Sequence, residues 1–189
     1  MTSRLPFVDA LDEVCRRIGF IAPRDLLLEL ASERAAAKDR VFDGVDPGVH
    51  DLLVDLRRRN VLVGVLSNCA VEEVRAWEGS PLAALVDATV WSCDEGVAKP
   101  SPEAYDLICR RLGVTSNDAL FVGDGSFDEL AGARRAGLQP VWASWFVGSW
   151  PANLSTARRE EVFMVGVPEA TQPSDVIAHA SASAAREGR

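Results

Sequence analysis

The sequence has little positive charge and almost no lysine. Of its 189 residues 28 are acidic and only 20 are lysine or arginine, which gives a formal net charge of −8. Lys38 and Lys99 are the only lysines. Nucleic-acid binding needs a basic surface, so we expect no nucleic-acid partner. An anionic substrate would have to be held by a few specific cations, which draws attention to these two side chains.

Long apolar runs, paired cysteines and a targeting segment are absent as well. No run approaches the roughly 18 apolar residues of a membrane span, so no membrane partner is expected. Residues 1–7 carry no apolar signal core. The four cysteines contain no C-x-x-C pair, which argues against a zinc site or a disulfide framework. These absences predict a reduced, cytoplasmic protein.

The hydrophobic pattern divides the chain into two parts. Residues 1–44 are predicted to be helical, because apolar or helix-forming residues dominate 7–18 and 24–38. Residues 45–178 alternate short apolar runs with helical segments. The final stretch, 179–189, is rich in alanine and serine and is expected to fray.

The second part has the pattern of an α/β fold. Its predicted strands are 61–66, 88–91, 119–122, 139–143 and 161–165. Its predicted helices are 49–56, 70–77, 102–112 and 127–136. This alternation predicts a Rossmann-like parallel sheet with helices on both faces. Ligands of such sheets bind at the carboxyl ends of the strands, so the residues that follow each strand are the candidates for function.

Polar side chains follow three of these strands. They are Ser67 and Asn68 after the first strand, Lys99 in the loop after the second, and Asp124, Asp128 and Glu129 after the third. A parallel sheet brings these positions to one edge. A hydroxyl and an ammonium group can hold phosphate oxygens, and clustered acids can hold Mg²⁺.

Each of these features alone has an ordinary structural explanation. Ser67-Asn68 is typical of a turn or a helix cap, and a single lysine is usually a solvated surface charge. Acids in the first turn of a helix are favoured by the helix dipole. A dinucleotide-binding fingerprint beginning at Gly123 is disfavoured, because its third glycine position holds Asp128. The occurrence of all three features in this order is far more specific than any one of them.

Over residues 7–178 the sequence resembles the haloacid dehalogenase-like hydrolases that have a small helical cap. The resemblance implies that Ser67, with Asn68 beside it, holds the transferring phosphoryl group, and that Lys99 neutralises its charge. It implies that Asp124 and a second acid position Mg²⁺. The first 44 residues would be a partial cap, and residues 45–178 the catalytic core.

The second acid of this metal site depends on the register of the motif. In the short form of the motif, Gly-Ala follows three residues after that acid. Gly132-Ala133 occurs here, which favours Glu129 and leaves Asp128 as the alternative.

The family's first motif, Asp-x-Asp, occurs nowhere in the 189 residues. Its first aspartate is the nucleophile and its second the general acid and base. Asp43 and Asp46 are the nearest pair, but they are separated by two residues and residues 35–42 before them do not form an apolar strand. We therefore do not assign Asp43 as the nucleophile.

The strand that carries this first motif lies between the other two motif-bearing strands in the family. Its loss would leave both of those strands without their shared neighbour, with costly unpaired backbone groups. Three explanations stay open: a reading frame assigned to start too late, a natural non-catalytic remnant, or a partner chain that supplies the strand.

The resemblance implies a Mg²⁺-dependent hydrolase of a small phosphorylated metabolite, inactive as given because the nucleophile is missing. The alternative is a non-catalytic phosphate-binding or regulatory module. Dehalogenation is less favoured, because paired acids suit a metal that a dehalogenase does not require. The aromatic stretch 142–150 favours a core edge or a contact with a second copy or partner chain, and lining of a substrate site is the less favoured alternative. His50 and His179 have no candidate partner and no expected catalytic role.

Overall fold

The structure is a computed structural model that describes residues 7–147, 150–152, 154, 158–159, 162 and 166–187. Its helices are α1 (Phe7–Arg17), α2 (Arg24–Asp39), α3 (Pro47–Arg58), α4 (Val71–Val74), α5 (Ser92–Glu95), α6 (Pro102–Leu112), α7 (Glu129–Arg135) and α8 (Asp175–Glu187). Its strands are β1 (Gly64–Ser67), β2 (Ala88–Trp91), β3 (Leu120–Gly123), β4 (Gln139–Ala143) and β5 (Glu169–Ala170). The predicted α/β architecture is confirmed. In the described ranges no helix is long and apolar enough to cross a bilayer.

The strands form two separate parallel sheets. One sheet pairs β1 with β2, with Ser67 opposite Trp91, and the other has the order β3-β4-β5. Among the described residues no strand pairs with the second edge of β1 or of β3. The central strand that the family resemblance places between them is therefore missing from this part of the chain.

Two helices and one hydrophobic core hold the sheets together. Helix α6 packs on β1 and β2, α7 packs on β3 and β4, and the two helices contact each other. The core includes Val90 of the first sheet, Phe121 of the second, and Tyr105 and Leu130 of the two helices. The rings of Tyr105 and Phe121 meet edge to face, with centroids 5.4 Å apart. Burial of these large apolar side chains stabilises the two sheets as one unit.

The helices approach closely at Gly132 of α7. A Cβ atom at this position would lie 2.7 Å from the Pro100 Cβ, 2.7 Å from the Tyr105 hydroxyl and 3.0 Å from the Pro100 carbonyl oxygen. Any side chain here would separate α7 from α6 and from the loop that precedes α6.

Ion pairs join the N-terminal helices to the core. Arg34 of α2 contacts the carboxylates of Glu72 and Glu73 at 2.9 and 3.2 Å, and the Lys38 Nζ lies 2.7 Å from Glu73. Helix α1 buries none of its residues. The assignment of residues 1–44 as a separate partial cap stays a prediction.

Some predicted boundaries differ from those of the structure. The first strand begins at Gly64 rather than at residue 61, and the helix expected at 70–77 ends at Val74. The strand expected at 161–165 falls mostly outside the described residues, and the short strand β5 follows it in the chain. Helix α8 continues to Glu187 through the segment expected to fray. Its alanines are strong helix formers, a preference that outweighs the terminal position.

Candidate active site

Ser67 and Asn68 lie at the carboxyl end of β1. Ser67 is half-buried, and its hydroxyl makes no hydrogen bond within the described part of the chain. The Asn68 side chain donates to the Lys99 carbonyl oxygen at 2.8 Å and accepts from the Lys99 backbone N–H at 2.8 Å. This pair of hydrogen bonds fixes the backbone of Lys99 beside the end of the first sheet.

The Lys99 side chain crosses to the second sheet. Its Nζ lies 2.6 Å from Oε2 of Glu129, and the two side chains are only 15% and 6% exposed. The Nζ also lies 5.5 Å from the centroid of the Phe121 ring, a favourable cation–π distance. A buried ion pair needs further hydrogen bonds to offset its desolvation, and the Gly125 N–H supplies one to Glu129.

Two groups hold Glu129 in place. The Gly125 N–H donates to Oε1 of Glu129 at 3.0 Å, and the Tyr105 hydroxyl donates to the Glu129 carbonyl oxygen at 2.7 Å. Burial, with the Glu129 charge nearby, raises the pKa of Tyr105, which keeps its hydroxyl a donor. Glu129 thereby connects Gly125, in the loop after β3, to Lys99, in the loop that precedes α6.

Asp124 directly follows β3 and is fixed from both ends. Its Oδ1 accepts from the Ser126 N–H at 2.7 Å, and its carbonyl oxygen accepts from Nε1–H of Trp142 at 3.0 Å. Trp142 is buried in β4, opposite Gly123 in the strand register. No sequence pattern predicts this positioning role, although Trp142 belongs to the aromatic stretch 142–150.

The structure separates the two candidates for the second acid. Asp128 pairs with Arg135 at 2.8 Å on the surface, where both side chains are 55% exposed. Glu129 points inward to Lys99 instead. The side chains of these adjacent acids point in opposite directions because Phe127 and Asp128 both have positive φ, at 52° and 59°. This left-handed backbone conformation is strained for residues other than glycine. Of the two acids only Glu129 lies in the cluster.

One chain of hydrogen bonds therefore connects the three predicted segments. It runs from Asn68 through Lys99 and Glu129 to Gly125, next to Asp124. The segments that follow β1, β2 and β3 therefore lie close together, as expected, although these strands belong to separate sheets. Ser67 lies beside this chain at the end of β1.

Asp43 and Asp46 lie outside this cluster. Asp43 is exposed in the 3₁₀ turn Arg40–Gly44, and Asp46 caps α3 by accepting from the Gly48 N–H at 2.7 Å. His50 lies beside Asp51, 3.5 Å away on the helix surface. His50 thus has a carboxylate neighbour that the sequence did not predict, and neither Asp43 nor His50 lies at the strand ends that carry Ser67 and Asp124.

The residues present do not fit a Mg²⁺ ion by themselves. Each Glu129 oxygen already contacts one donor, Lys99 or the Gly125 N–H, and one Asp124 oxygen accepts from the Ser126 N–H. The described residues contain no group of three or more His, Cys, Asp or Glu side chains placed to hold a metal ion. Mg²⁺ requires near-octahedral oxygen ligation, which this donor set does not supply.

Comparison with known proteins gives relatives of two activities. The model of the haloacid dehalogenase-like hydrolase family matches residues 10–137. The chain is 31% identical to (S)-2-haloacid dehalogenase 2 of Pseudomonas sp. over 72% of its length and 57% of that protein's. It is 32% identical to glyceraldehyde 3-phosphate phosphatase of Methanopyrus kandleri over 69% of its length and 63% of that protein's. The chain thus spans less than two thirds of either relative.

The fold has a similar counterpart among solved structures. L-2-haloacid dehalogenase from Xanthobacter autotrophicus with chloropropionic acid covalently bound superposes with a TM-score of 0.64 at 23% identity. The match covers 89% of this chain and 71% of that one. Because the family model spans more than half of the chain and the structural match supports the same fold, the chain belongs to the haloacid dehalogenase-like hydrolases.

Proposed function

We propose that this chain carries the phosphate-binding part of a hydrolase site whose substrate is a small phosphorylated metabolite. The observation that carries the proposal is the hydrogen-bonded chain Asn68–Lys99–Glu129–Gly125, which unites three strand ends. The glyceraldehyde 3-phosphate phosphatase similarity supports a phosphomonoester as the substrate class.

The side chains have defined tasks in this proposal. The Ser67 hydroxyl donates to one phosphoryl oxygen. The Lys99 ammonium has three N–H donors, and those not directed at Glu129 meet a second oxygen. Asn68 acts through Lys99, because its amide holds the lysine backbone and leaves the substrate to the other two residues.

Turnover requires a nucleophile that this chain lacks. Positioning and charge neutralisation lower a barrier only when an attacking group is held in line. A strand between β1 and β3 that ends in carboxylates would supply that group, together with oxygen ligands for Mg²⁺. Mg²⁺ dependence is thus proposed for the completed site, and no turnover is proposed for the 189-residue chain alone.

A second candidate is metal-independent hydrolysis of a 2-haloacid. The pairing of Glu129 with Lys99 favours this candidate, because a carboxylate that a lysine already neutralises attracts a metal cation less strongly. The similarity to (S)-2-haloacid dehalogenase 2 supports the same candidate. This chemistry also needs the missing carboxylate.

Ligand-induced thermal shifts test the proposal on the chain as it is. Orthovanadate and inorganic phosphate should raise the melting temperature of the wild-type protein, whereas Ser67→Ala, Lys99→Ala and Lys99→Arg should lose this shift. Lys99→Arg should lose the shift because the planar guanidinium group does not fit a site shaped for a compact ammonium group. Lys38→Ala is the matched control and should keep the shift. Equal shifts in all five proteins would refute the assignment of Ser67 and Lys99.

Activity assays distinguish the candidate functions. The 189-residue chain should release no phosphate from a phosphomonoester panel with Mg²⁺ and no chloride from 2-chloropropionate. An extended form encoding an apolar strand that ends in Asp-x-Asp should gain activity and thermal stability, and the released ion identifies the reaction. Robust turnover by the chain alone, abolished in Asp43→Asn, would show that the nucleophile was misassigned.

A further inference from the structure

Two cysteines meet next to the candidate active site. The sulfur atoms of Cys69 and Cys93 lie 3.8 Å apart, although the residues are 24 positions apart in the chain. Both are free thiols and both are half-buried, so a small oxidant can reach them. Neither residue has a task in the proposed hydrolase site.

The strand register explains why the two thiols meet. Ser67 and Trp91 are direct partners in the parallel pair of β1 and β2. Cys69 follows Ser67 by two residues in the loop after β1, and Cys93 follows Trp91 by two residues in the first turn of α5, so both residues leave the same end of this sheet. The first turn of α5 keeps Cys93 close to the loop after β1.

The backbones on either side of this thiol pair are already connected. The Ser92 hydroxyl accepts from the Cys69 N–H at 2.9 Å and donates to the Cys69 carbonyl oxygen at 3.3 Å. Ser92 is itself buried. These hydrogen bonds hold the two segments together, and the sulfurs must close from 3.8 Å to about 2.05 Å with a C–S–S–C dihedral angle of about ±90° to form a disulfide.

We propose that Cys69 and Cys93 form a reversible disulfide when the folded protein meets hydrogen peroxide, and that this bond locks the loop carrying Asn68. The inference does not depend on the proposed hydrolase function.

The chemistry is balanced by the peroxide. The Cys69 sulfur attacks one peroxide oxygen, the O–O bond breaks, and a sulfenic acid forms with release of water. The Cys93 sulfur then attacks the Cys69 sulfur, the S–O bond breaks, and the departing hydroxide takes the Cys93 proton to give a second water. The two thiols lose two electrons and the peroxide gains them.

The surroundings assign the order of the two steps. Burial, together with Cys69 and the carboxylate of Asp94, raises the pKa of the Cys93 thiol to about 12. Cys93 therefore stays protonated at neutral pH and is a poor first nucleophile toward peroxide, whereas in the second step the departing hydroxide takes its proton as it attacks the sulfenic acid. Cys69 is left to react first and Cys93 to resolve the sulfenic acid.

The bond would act close to the site. Cys69 directly follows Asn68, whose side chain holds the backbone of Lys99. A covalent link from Cys69 to α5 adds to the hydrogen bonds with Lys99 and Ser92 and further restricts the opening of this loop. The expected consequence is slower exchange of the backbone amides around Asn68 and Lys99.

Peroxide treatment of the full chain, followed by mass spectrometry, tests the bond itself. The intact protein should lose two hydrogens, a peptide pair linked through Cys69 and Cys93 should appear, and dithiothreitol should reverse both changes. Cys69→Ser and Cys93→Ser should abolish the linked pair, and Cys15→Ser, the matched control, should keep it. Formation of sulfinic acid without a link, or a link through Cys15, would overturn the proposal.

Hydrogen exchange tests the locking. In the oxidised wild-type protein the segment that contains Asn68 should exchange several-fold more slowly than in the reduced protein, and Cys93→Ser should show no difference after the same treatment. Unchanged or faster exchange in a protein whose disulfide is verified by mass would overturn the locking of the loop.

Discussion

Replacement of Lys99 by methionine should destabilise the protein strongly, because it leaves Glu129 buried without its partner. The Lys99 Nζ lies 2.6 Å from Glu129, and the Glu129 side chain is only 6% exposed. The methionine keeps most of the aliphatic length but removes the charge. One remaining hydrogen bond, from the Gly125 N–H, does not neutralise the carboxylate.

The size of the effect follows from the burial of the pair. Removing one partner of a buried ion pair costs about 3–5 kcal/mol of the free energy of unfolding. For a protein of this size that corresponds to a decrease of about 6–20 °C in melting temperature. Urea denaturation with a circular-dichroism readout measures the free energy, and a thermal melt measures the temperature.

The chain's other lysine supplies the control. The Lys38 Nζ lies 2.7 Å from Glu73, but the two side chains are 32% and 26% exposed. Partly exposed pairs contribute about 0–1 kcal/mol, so Lys38→Met should have a small effect. Equal and small effects of the two substitutions would refute the claim that Lys99 forms a buried ion pair that stabilises the fold.

A double substitution separates charge from packing. Lys99→Met combined with Glu129→Gln removes both charges and keeps an acceptor for the Gly125 N–H, so it should recover most of the lost stability. The corresponding coupling energy should reach about 2 kcal/mol or more in the double-mutant cycle. A double variant as unstable as Lys99→Met alone would assign the loss to the packing of the lysine stem instead.

Three further predictions concern the metal, the helix contact and an acidic cap. Calorimetry should find weak Mg²⁺ binding at most, and micromolar affinity that survives Asp124→Ala would contradict the site. Gly132→Ala should cost about 1–3 kcal/mol in urea unfolding, and Gly79→Ala, where the added methyl meets no atom within 4 Å, should cost less. The Gln172 side chain and the backbone N–H groups before α8 lower the pKa of Asp175, so its stabilisation is present above the unfolded pKa and is lost as the pH falls through the folded value. Asp175→Asn should therefore lose stability at pH 7 but match wild type near the acid limit, and an equal loss at both pH values would exclude the carboxylate charge as the cause.

The sequence by itself determined the elements whose signals are local. Helix α6 and strands β2 and β4 have the predicted bounds, because their apolar spacing is interrupted by turn residues at both ends. The strand-end positions of Ser67, Lys99 and Asp124 follow from the same alternation, since parallel strands present their carboxyl ends on one edge. The absence of Asp-x-Asp is likewise a property of the sequence alone.

Only the tertiary structure decided which of these groups touch. The contact of Lys99 with Glu129 joins residues 30 positions apart, one in the loop between α5 and α6 and the other in α7, and no local pattern encodes it. The choice of Glu129 over Asp128 depends on a left-handed turn at Phe127, and sequence spacing only favoured it. The hydrogen bond from Trp142 to Asp124 and the meeting of the two thiols depend on strand register. Register and side-chain pairing arise when the sheets and helices pack, so they belong to the whole fold and not to any segment of the sequence.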